Sequence, residues 1–454
     1  MIGTTQFTNA FVENKRLEKV AVVRLGHPAT ISVPPCIDFS SNLRKIIGEN
    51  FWILPGGYEF DGRFLGDWSE EQVKKVANEI ASKGIKYIAI SCVFSPINEK
   101  QEIETAKIIK KYVPEAIITM SHRIGRVGFI ERENATIMNS SLGFLANKVI
   151  TSFDDALKKL KIKCPFYISQ NDGTLMAANI VKNYPVLTFA SGPTNSMRGA
   201  AFLSGHKNAI VVDIGGTTTD FGVIKEGFPR ESSIPVDIGG VRTNFRMPDL
   251  VSIGLGGGSL IDFKNNEVKV GPESVGYKLT SESLIFGGNK LTASDIAISQ
   301  GLANFGDKEK ISHLDKKIIM KTIQVIKEMI EEGIDRVKLN KDPVPVILVG
   351  GGNILVENNL EGADEVIIPN YSDVANAIGA SLAQAGGEID KIYSYSDIGR
   401  EKSLELAKLD AIKRAKEAGA KTDTITIIEL EEIPLSYLPS GAVRLHVKAV
   451  GDLF

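Results

Sequence analysis

A chain of 454 residues with a formal net charge of −2, 43% hydrophobic and 24% charged residues has the make-up of a globular protein of two or three domains. That balance, without any lysine and arginine cluster, excludes nucleic acid as a main partner. No apolar run reaches the roughly 18 residues of a membrane span, the N-terminus is polar and threonine-rich, and three widely spaced cysteines (Cys36, Cys92, Cys164) fit a reducing, cytoplasmic location.

Residues 1–10 carry the hydroxyls of Thr4, Thr5 and Thr8 and the amide of Asn9, a composition that suits a site loop as well as a frayed terminus. Strand patterns follow at 19–25 and 51–54, the second ended by Pro55-Gly56-Gly57. Ser69-Glu70-Glu71-Gln72 opens a helix with a capping-box pattern, and Gly84 closes it. Residues 87–94 form a near-continuous apolar run, 99–112 a helix, and 116–120 a strand. This alternation predicts an α/β layer with parallel pairing. Ser121-His122-Arg123 then falls at the C-terminal end of a strand, where open α/β sheets place ligands. His122 is either a site residue or a hydrogen-bonded structural group. Glu131-Arg132-Glu133-Asn134 begins a helix reaching about residue 148, its charges read as a solvated first turn.

Residues 166–169 read as a strand into the turn Gln170-Asn171-Asp172-Gly173, and 185–189 as another into Ala190-Ser191-Gly192-Pro193-Thr194-Asn195-Ser196. That loop, ahead of a helix, could cradle an anion or merely cap the helix.

The most informative stretch is Ala209-Ile210-Val211-Val212-Asp213-Ile214-Gly215-Gly216-Thr217-Thr218-Thr219-Asp220. It reads as a buried strand, a tight polar turn and a returning strand. Gly215 and Gly216 allow close approach to the main chain, and the threonine hydroxyls beside freed N–H groups suit phosphate oxygens. Asp213 and Asp220 could hold a hydrated Mg²⁺. The plainer reading is a hairpin with two solvated carboxylates.

Gly254-Leu255-Gly256-Gly257-Gly258-Ser259 marks close backbone packing or a ligand-facing turn. No P-loop pattern occurs, and the six-residue dinucleotide frame is not met. Thr292 or Ser294 is a candidate helix cap ahead of Asp295, which is a site acid or a capping carboxylate. Residues 316–338 form a long amphipathic helix, and 344–349 a strand ending in Gly350-Gly351-Gly352-Asn353. A strand at 366–368 precedes a helix begun by residues 373–380, whose small side chains admit a second helix or a flat ligand. A charged helix at about 401–418 and strands at 424–429 and 442–450 read as an appended α+β module.

The Asp213–Asp220 turn, the Gly350–Gly352 run and Ala375-Asn376-Ala377-Ile378-Gly379-Ala380 together resemble the actin-like ATPase superfamily. More narrowly, the chain resembles the hydantoinase A and 5-oxoprolinase family. That match is carried in order by Gly3-Thr4-Thr5 with Thr8-Asn9-Ala10, Arg132-Glu133-Asn134-Ala135-Thr136, Ser169-Gln170-Asn171-Asp172-Gly173, Ser191-Gly192-Pro193, Asp213–Asp220, Gly254–Ser259, Thr292–Asp295 and residues 434–441. The resemblance implies an α/β fold of actin-like ATPase (ribonuclease H-like) lobes with mixed sheets, the first lobe incomplete, and a small C-terminal module. Its implied divisions are residues 1–130, 131–387 and 388–454. Family members open with a further Asp-Gly-Gly-Thr hairpin ahead of the Gly-Thr-Thr motif; this sequence begins just before that motif, so weak nucleotide binding is expected.

The implied activity is ATP-dependent hydrolysis of cyclic amides such as hydantoins or 5-oxoproline, with ATP and Mg²⁺ as cofactors and a hydantoinase B-like subunit or further copies of this chain as partners. The resemblance puts Gly215, Gly216, Thr217 and Thr218 on phosphate, Asp213 on the metal, and Gly350, Gly351 and Gly352 on adenosine. Asp220 and Asp295 become the catalytic candidates, and Thr4, Thr5 and Asn9 the substrate-facing ones. A non-catalytic scaffold subunit and a small-molecule kinase stay open as alternatives.

Overall fold

In the computed structural model, which describes every residue other than 233, 246, 265–266, 357–358, 383, 437–440 and 454, the chain divides into two compact units. One comprises Met1–Ala190, Ser233–Met247 and Ala383–Phe454; the other comprises Ser191–Ser232 and Pro248–Leu382. Part of the 434–441 motif therefore lies outside the described residues.

The second unit is organised by the predicted hairpin. Ala209–Ile214 pairs antiparallel with Thr219–Lys225, and this strand pairs antiparallel with Leu250–Ile253. On its other edge Ala209–Ile214 pairs parallel with Val344–Val349, which pairs parallel with Ala363–Ile367. An antiparallel meander continued by two parallel strands is the ribonuclease H-like arrangement of an actin-like lobe. Alternation along the strands decides the layers. Ile210, Val212 and Ile214 face the long helix Lys316–Val337 through Ile326, Ile330 and Ile334, whereas Val211 and Ala209 face Met197, Ala200 and Ala375. That helix buries Ile319, Thr322, Ile326, Ile330 and Ile334, three or four residues apart, and is capped by the Asp315 carboxylate accepting from Lys317 N–H at 2.7 Å.

The small residues of Ala375–Ser381 meet another helix. A methyl on Gly199 would strike the Ala375 carbonyl, and one on Gly379 would strike that of Asn195. Ser191–Ser204 is already helical through the stretch read as a loop, and its first turns are packed within the unit.

In the first unit, Asn50–Pro55, Val20–His27, Tyr87–Cys92 and Ile117–Met120 form a wholly parallel sheet in that order. Ala21, Val23, Ile88 and Ile90 pack on Glu70–Ser82 and Lys100–Tyr112, and Val20, Val22 and Ala89 pack on the opposite face. A second, mixed sheet runs Thr426–Pro434, Ala442–Asp452, Gln384–Ser394, Leu175–Ala177, Tyr167–Ser169. The expected C-terminal strands are thus continuous with strands from the middle of the sequence. Their apolar face (Leu445, Val447, Ala449) shares a core with Ala407, Ala411 and Ala415 of Arg400–Ala418.

Three local expectations are corrected. Residues 185–189 form a short 3₁₀ turn, Pro185–Thr188, because proline at its start presets the helical angle and four residues cannot sustain a ladder. The helix from 131 is two helices, Phe129–Ser141 and Gly143–Lys159. Ser69 stands at the N-cap of Glu70–Ser82 without a side-chain capping bond.

Candidate functional site

Backbone bonding shapes the turn of the central hairpin. Asp213 and Asp220 are register partners on its two strands. The Gly215 N–H donates to the Thr218 carbonyl at 2.9 Å, which closes the turn. Gly216, Thr217 and Thr218 stand exposed beyond it. Among the described residues, the N–H groups of these three find no protein acceptor.

Two glycine runs press against the turn. Gly257 and Gly258 donate their N–H groups to the carbonyls of Gly215 and Gly216 at 3.0 and 2.8 Å. A methyl on Gly256 would lie 2.5 Å from the Thr217 nitrogen and 2.6 Å from the Gly216 carbonyl carbon. Gly352 donates to the Ile214 carbonyl at 2.7 Å, and a methyl there would come within 2.8 Å of the Gly215 oxygen. Gly350 has φ of +84°, a conformation that disfavours any side chain, and its N–H donates to the Ser372 carbonyl at 2.9 Å. Gly216 and Gly351, by contrast, have open space where a side chain would stand. The result is a glycine-walled turn whose tip remains accessible.

The two aspartates sit partly buried under this tip. Burial pushes the Asp213 carboxyl above its ordinary value, and a hydrogen bond from Ser196 partly offsets that. Burial likewise raises Asp220, the Ser252 hydroxyl bonded to its carboxylate lowers it, and the neighbouring Asp213 charge raises it further. Among the described residues neither forms an ion pair. Two uncompensated carboxylates beneath open backbone donors are the donor set a hydrated divalent cation with phosphate oxygens would satisfy, so the residues present fit Mg²⁺-ATP.

Asp295 is placed differently. Its Oδ2 accepts from the Thr292 N–H and hydroxyl, both at 2.8 Å, and its Oδ1 from the Ile285 N–H at 2.8 Å. This is a reciprocal capping box with Thr292 as the N-cap, and the carboxylate is fully buried. Ser294 donates its N–H and hydroxyl to the Gly257 carbonyl at 2.9 and 2.8 Å. The helix Ala293–Gln300 thereby fixes the glycine loop that abuts the turn.

Thr4, Thr5 and Asn9 belong to the first unit. Thr4 Oγ1 accepts from the Gln6 N–H at 3.2 Å, and Thr5 and Asn9 are exposed at the start of the helix Gln6–Val12.

The first unit also holds a charge cluster at the C-terminal edge of its parallel sheet. Arg132 and Glu133, read from sequence as solvated, are 0% and 1% exposed. Glu133 takes the Nε of Arg24 at 2.8 Å, its terminal nitrogen, and the Ser91 hydroxyl at 2.6 Å. Both guanidinium groups lie over the Phe129 ring, at 5.3 and 5.7 Å. His122 Nδ1 stands 2.5 Å from Glu102, whose other oxygen accepts from Ser121 at 2.5 Å, and Arg132 Nε reaches Ser121 at 3.0 Å. Burial pushes Glu102 up, but the His122 and Ser121 bonds and the Arg132 charge outweigh it and hold the carboxyl below its ordinary value. His122 is thus a hydrogen-bonded member of a buried network. Sequence reading took Arg132 and Glu133 as a solvated helix start and as part of the family motif; Arg24 and Glu102 carried no local signal at all. Cys92 is a buried thiol.

Comparison with known proteins places the chain in a family. A model described as "Hydantoinase/oxoprolinase" matches residues 132–337, and one described as "Hydantoinase/oxoprolinase N-terminal region" matches 1–113. The acetophenone carboxylase gamma subunit of Aromatoleum aromaticum is 26% identical over 254 residues, covering 54% of this chain and 34% of that protein. Caprolactamase subunit alpha of Pseudomonas jessenii is 23% identical over 329 residues, covering 66% of this chain and 45% of that protein. Among solved structures, the ATP-dependent caprolactamase of Pseudomonas jessenii superposes with a TM-score of 0.77 at 18% identity, covering 99% of this chain and 77% of that one. Nucleotide-free acetone carboxylase gives 0.60 at 16%, covering 99% and 78%. These superpositions establish the fold. The chain spans between about a third and under two thirds of the length of the curated relatives it matches. No described helix is long and apolar enough to cross a membrane.

Proposed function

Because this chain belongs to the hydantoinase/oxoprolinase family, we propose that it is an ATP-dependent hydrolase of cyclic amides of the hydantoin or 5-oxoproline type. The observation that carries the reading is the accessible tip Gly216-Thr217-Thr218, with N–H donors lacking protein acceptors, above the Asp213 carboxylate, which has no ion-pair partner among the described residues.

A lactam or imide carbonyl resists attack by water; bound ATP supplies the phosphoryl group that turns its oxygen into a leaving group. The protein's part is positioning and charge stabilisation. The turn N–H groups of Gly216, Thr217 and Thr218 hold phosphate oxygens without any side chain to reorganise. Asp213 holds the hydrated cation. Gly351, with open space where a side chain would stand, leaves room for adenosine to lie against the main chain, and Gly350 and Gly352 let the same run approach the turn closely. Asp220, fixed by Ser252, orients a water molecule. Asp295 keeps the glycine loop in place through its cap. A partner subunit or further copies of the chain would complete the assembly, a reading supported by the word "subunit" in the relatives' names.

The test has two stages. Calorimetry with Mg²⁺-ATP should give saturable binding that is lost in Asp213→Ala. Phosphate release should then rise when a hydantoin, 5-oxoproline or a lactam is added, with the ring-opened acid detected by mass spectrometry. Absence of nucleotide binding sinks the proposal. Labelled phosphate in a stable product makes the protein a kinase, and nucleotide binding without ring opening, alone or with a partner subunit, makes it a scaffold.

A further inference from the structure

The loop between the edge strand Ala363–Ile367 and the helix Ala375–Ser381 holds a side chain that the nucleotide reading leaves unused. Among the described residues of the second unit, Glu226 and Tyr371 are the non-glycine residues with positive φ, at +51° and +63°. Glu226 is accounted for. With Gly227 it makes the two-residue turn between Lys225 and its register partner Phe228, and such a turn takes positive φ at both positions. Tyr371 serves no hairpin. A bulky residue in that conformation is strained and persists only where its surroundings hold it. Here the Ser372 N–H donates to the Pro369 carbonyl and the Val374 N–H to the Tyr371 carbonyl, both at 3.1 Å. The Ser372 carbonyl accepts from the Gly350 N–H at 2.9 Å, and its hydroxyl oxygen accepts from Asn353 Nδ2 at 2.8 Å.

The strained loop is thereby fastened to the glycine run at the end of Val344–Val349. On its other side that run meets the candidate metal ligand: a methyl on Gly350 would strike the Asp213 carboxylate. Asp213, the run and the Tyr371 loop thus follow one another, each a contact from the next. Yet the tyrosine ring takes little part in the packing. Tyr371 is 70% exposed, and Ile368 and Val374 beside it in sequence are each 44% exposed. Large apolar side chains turned to solvent along one loop mark a surface that something else covers. An aromatic ring on such a loop is a platform on which any nucleobase can stack.

We infer that Tyr371 is the stacking platform for the adenine base of the bound nucleotide, with the glycine run beside the ribose and the hairpin turn on the phosphates. The inference rests on the nucleotide reading proposed above, which gave the base main chain alone. Taking an aromatic ring from under a base weakens binding about 5- to 150-fold. Tyr371→Asn removes the ring and keeps the backbone, since asparagine visits the left-handed region more readily than other side-chain-bearing residues. Tyr371→Phe keeps the ring and removes the hydroxyl. Tyr371→Trp adds a reporter to a chain whose two tryptophans, Trp52 and Trp68, both lie in the first unit.

The experiment is calorimetric titration of the full chain with ATP and with inorganic tripolyphosphate, both in excess Mg²⁺, for the wild type, Tyr371→Phe and Tyr371→Asn. Tyr371→Trp is followed by tryptophan emission with the same two ligands. The expected result is that Tyr371→Asn binds ATP at least five-fold more weakly and Tyr371→Phe within two-fold of the wild type, with urea midpoints unchanged. Tripolyphosphate affinity should be alike in all three, and ATP alone should quench the new tryptophan. Wild-type ATP affinity in Tyr371→Asn, or no quenching by ATP, overturns the platform while leaving the phosphate site standing. A loss in Tyr371→Asn that is equal for both ligands, or comes with a lower urea midpoint, also overturns it, as the mark of a merely structural residue. A wild-type chain that binds neither ligand refutes the nucleotide reading and the platform together.

Discussion

Gly256→Ala tests whether the glycine walls shape the phosphate-binding turn. The added methyl would lie 2.5 Å from the Thr217 nitrogen. Ordinary contact begins near 3.4 Å, so turn and loop must separate by about 0.9 Å. The loop is anchored from its other side by Ser294, so the turn is the part that yields, against the two N–H bonds that tie it to the loop. Overpacking of this kind costs about 1–3 kcal/mol of stability, and a displacement near 1 Å at a reacting group costs about 100-fold in rate. Gly216→Ala is the control: its methyl meets nothing within 4 Å, so the fold should be untouched while the methyl enters the space a phosphate would occupy. We expect Gly256→Ala to lower both the urea midpoint and nucleotide affinity, and Gly216→Ala to lower affinity alone. Wild-type nucleotide affinity in Gly256→Ala would refute the argument that the walls set the turn.

Three further outcomes are expected. Asp213→Ala should leave the circular dichroism spectrum and melting behaviour near those of the wild type while abolishing Mg²⁺-dependent nucleotide binding; an unchanged affinity removes the metal from Asp213. Glu133→Gln should destabilise the chain by about 3–5 kcal/mol in urea, because it leaves the Arg24 guanidinium buried with its charge uncompensated; a loss below about 1 kcal/mol, within the range of a solvent-exposed pair, would contradict the burial. Glu102 has a folded value below its usual 4.5, so its contribution is present above 4.5 and is lost as pH falls through the lower folded value. Acid unfolding followed by tryptophan fluorescence should therefore be less steep in Glu102→Gln, and identical acid profiles would count against the network.

Much of the second unit was legible because its signals are local. Near-continuous apolar runs along 209–214 and 344–349 place the central strands, and the seven- and four-residue spacing of Ile319, Ile326, Ile330 and Ile334 places the long helix. The glycine turns were legible as close approaches, although which backbone each approaches depends on the fold. What escaped was non-local. Arg24 and Glu133 lie 109 residues apart, and Ser91 and Glu133 lie 42 apart, so no window along the chain shows that these charges satisfy one another. Without partners in view, a charged helix start reads as solvated. Asn376 was seen as one of a run of small residues, and its bond to Ser196, 180 positions earlier, appears only once the two helices pack.

The mixed sheet of the first unit has a consequence for how the protein is made. Its strands come from Tyr167–Ser169, Leu175–Ala177, Gln384–Ser394, Thr426–Pro434 and Ala442–Asp452, so the ladder stays unfinished until Ala442–Asp452 has been made. The residues of the second unit emerge from the ribosome within that interval and can settle on contacts among themselves. The half-built partner must meanwhile keep its apolar strands out of reach of neighbouring nascent chains. Chaperone demand, rather than the glycine turn, is therefore where heterologous production of this protein should first fail.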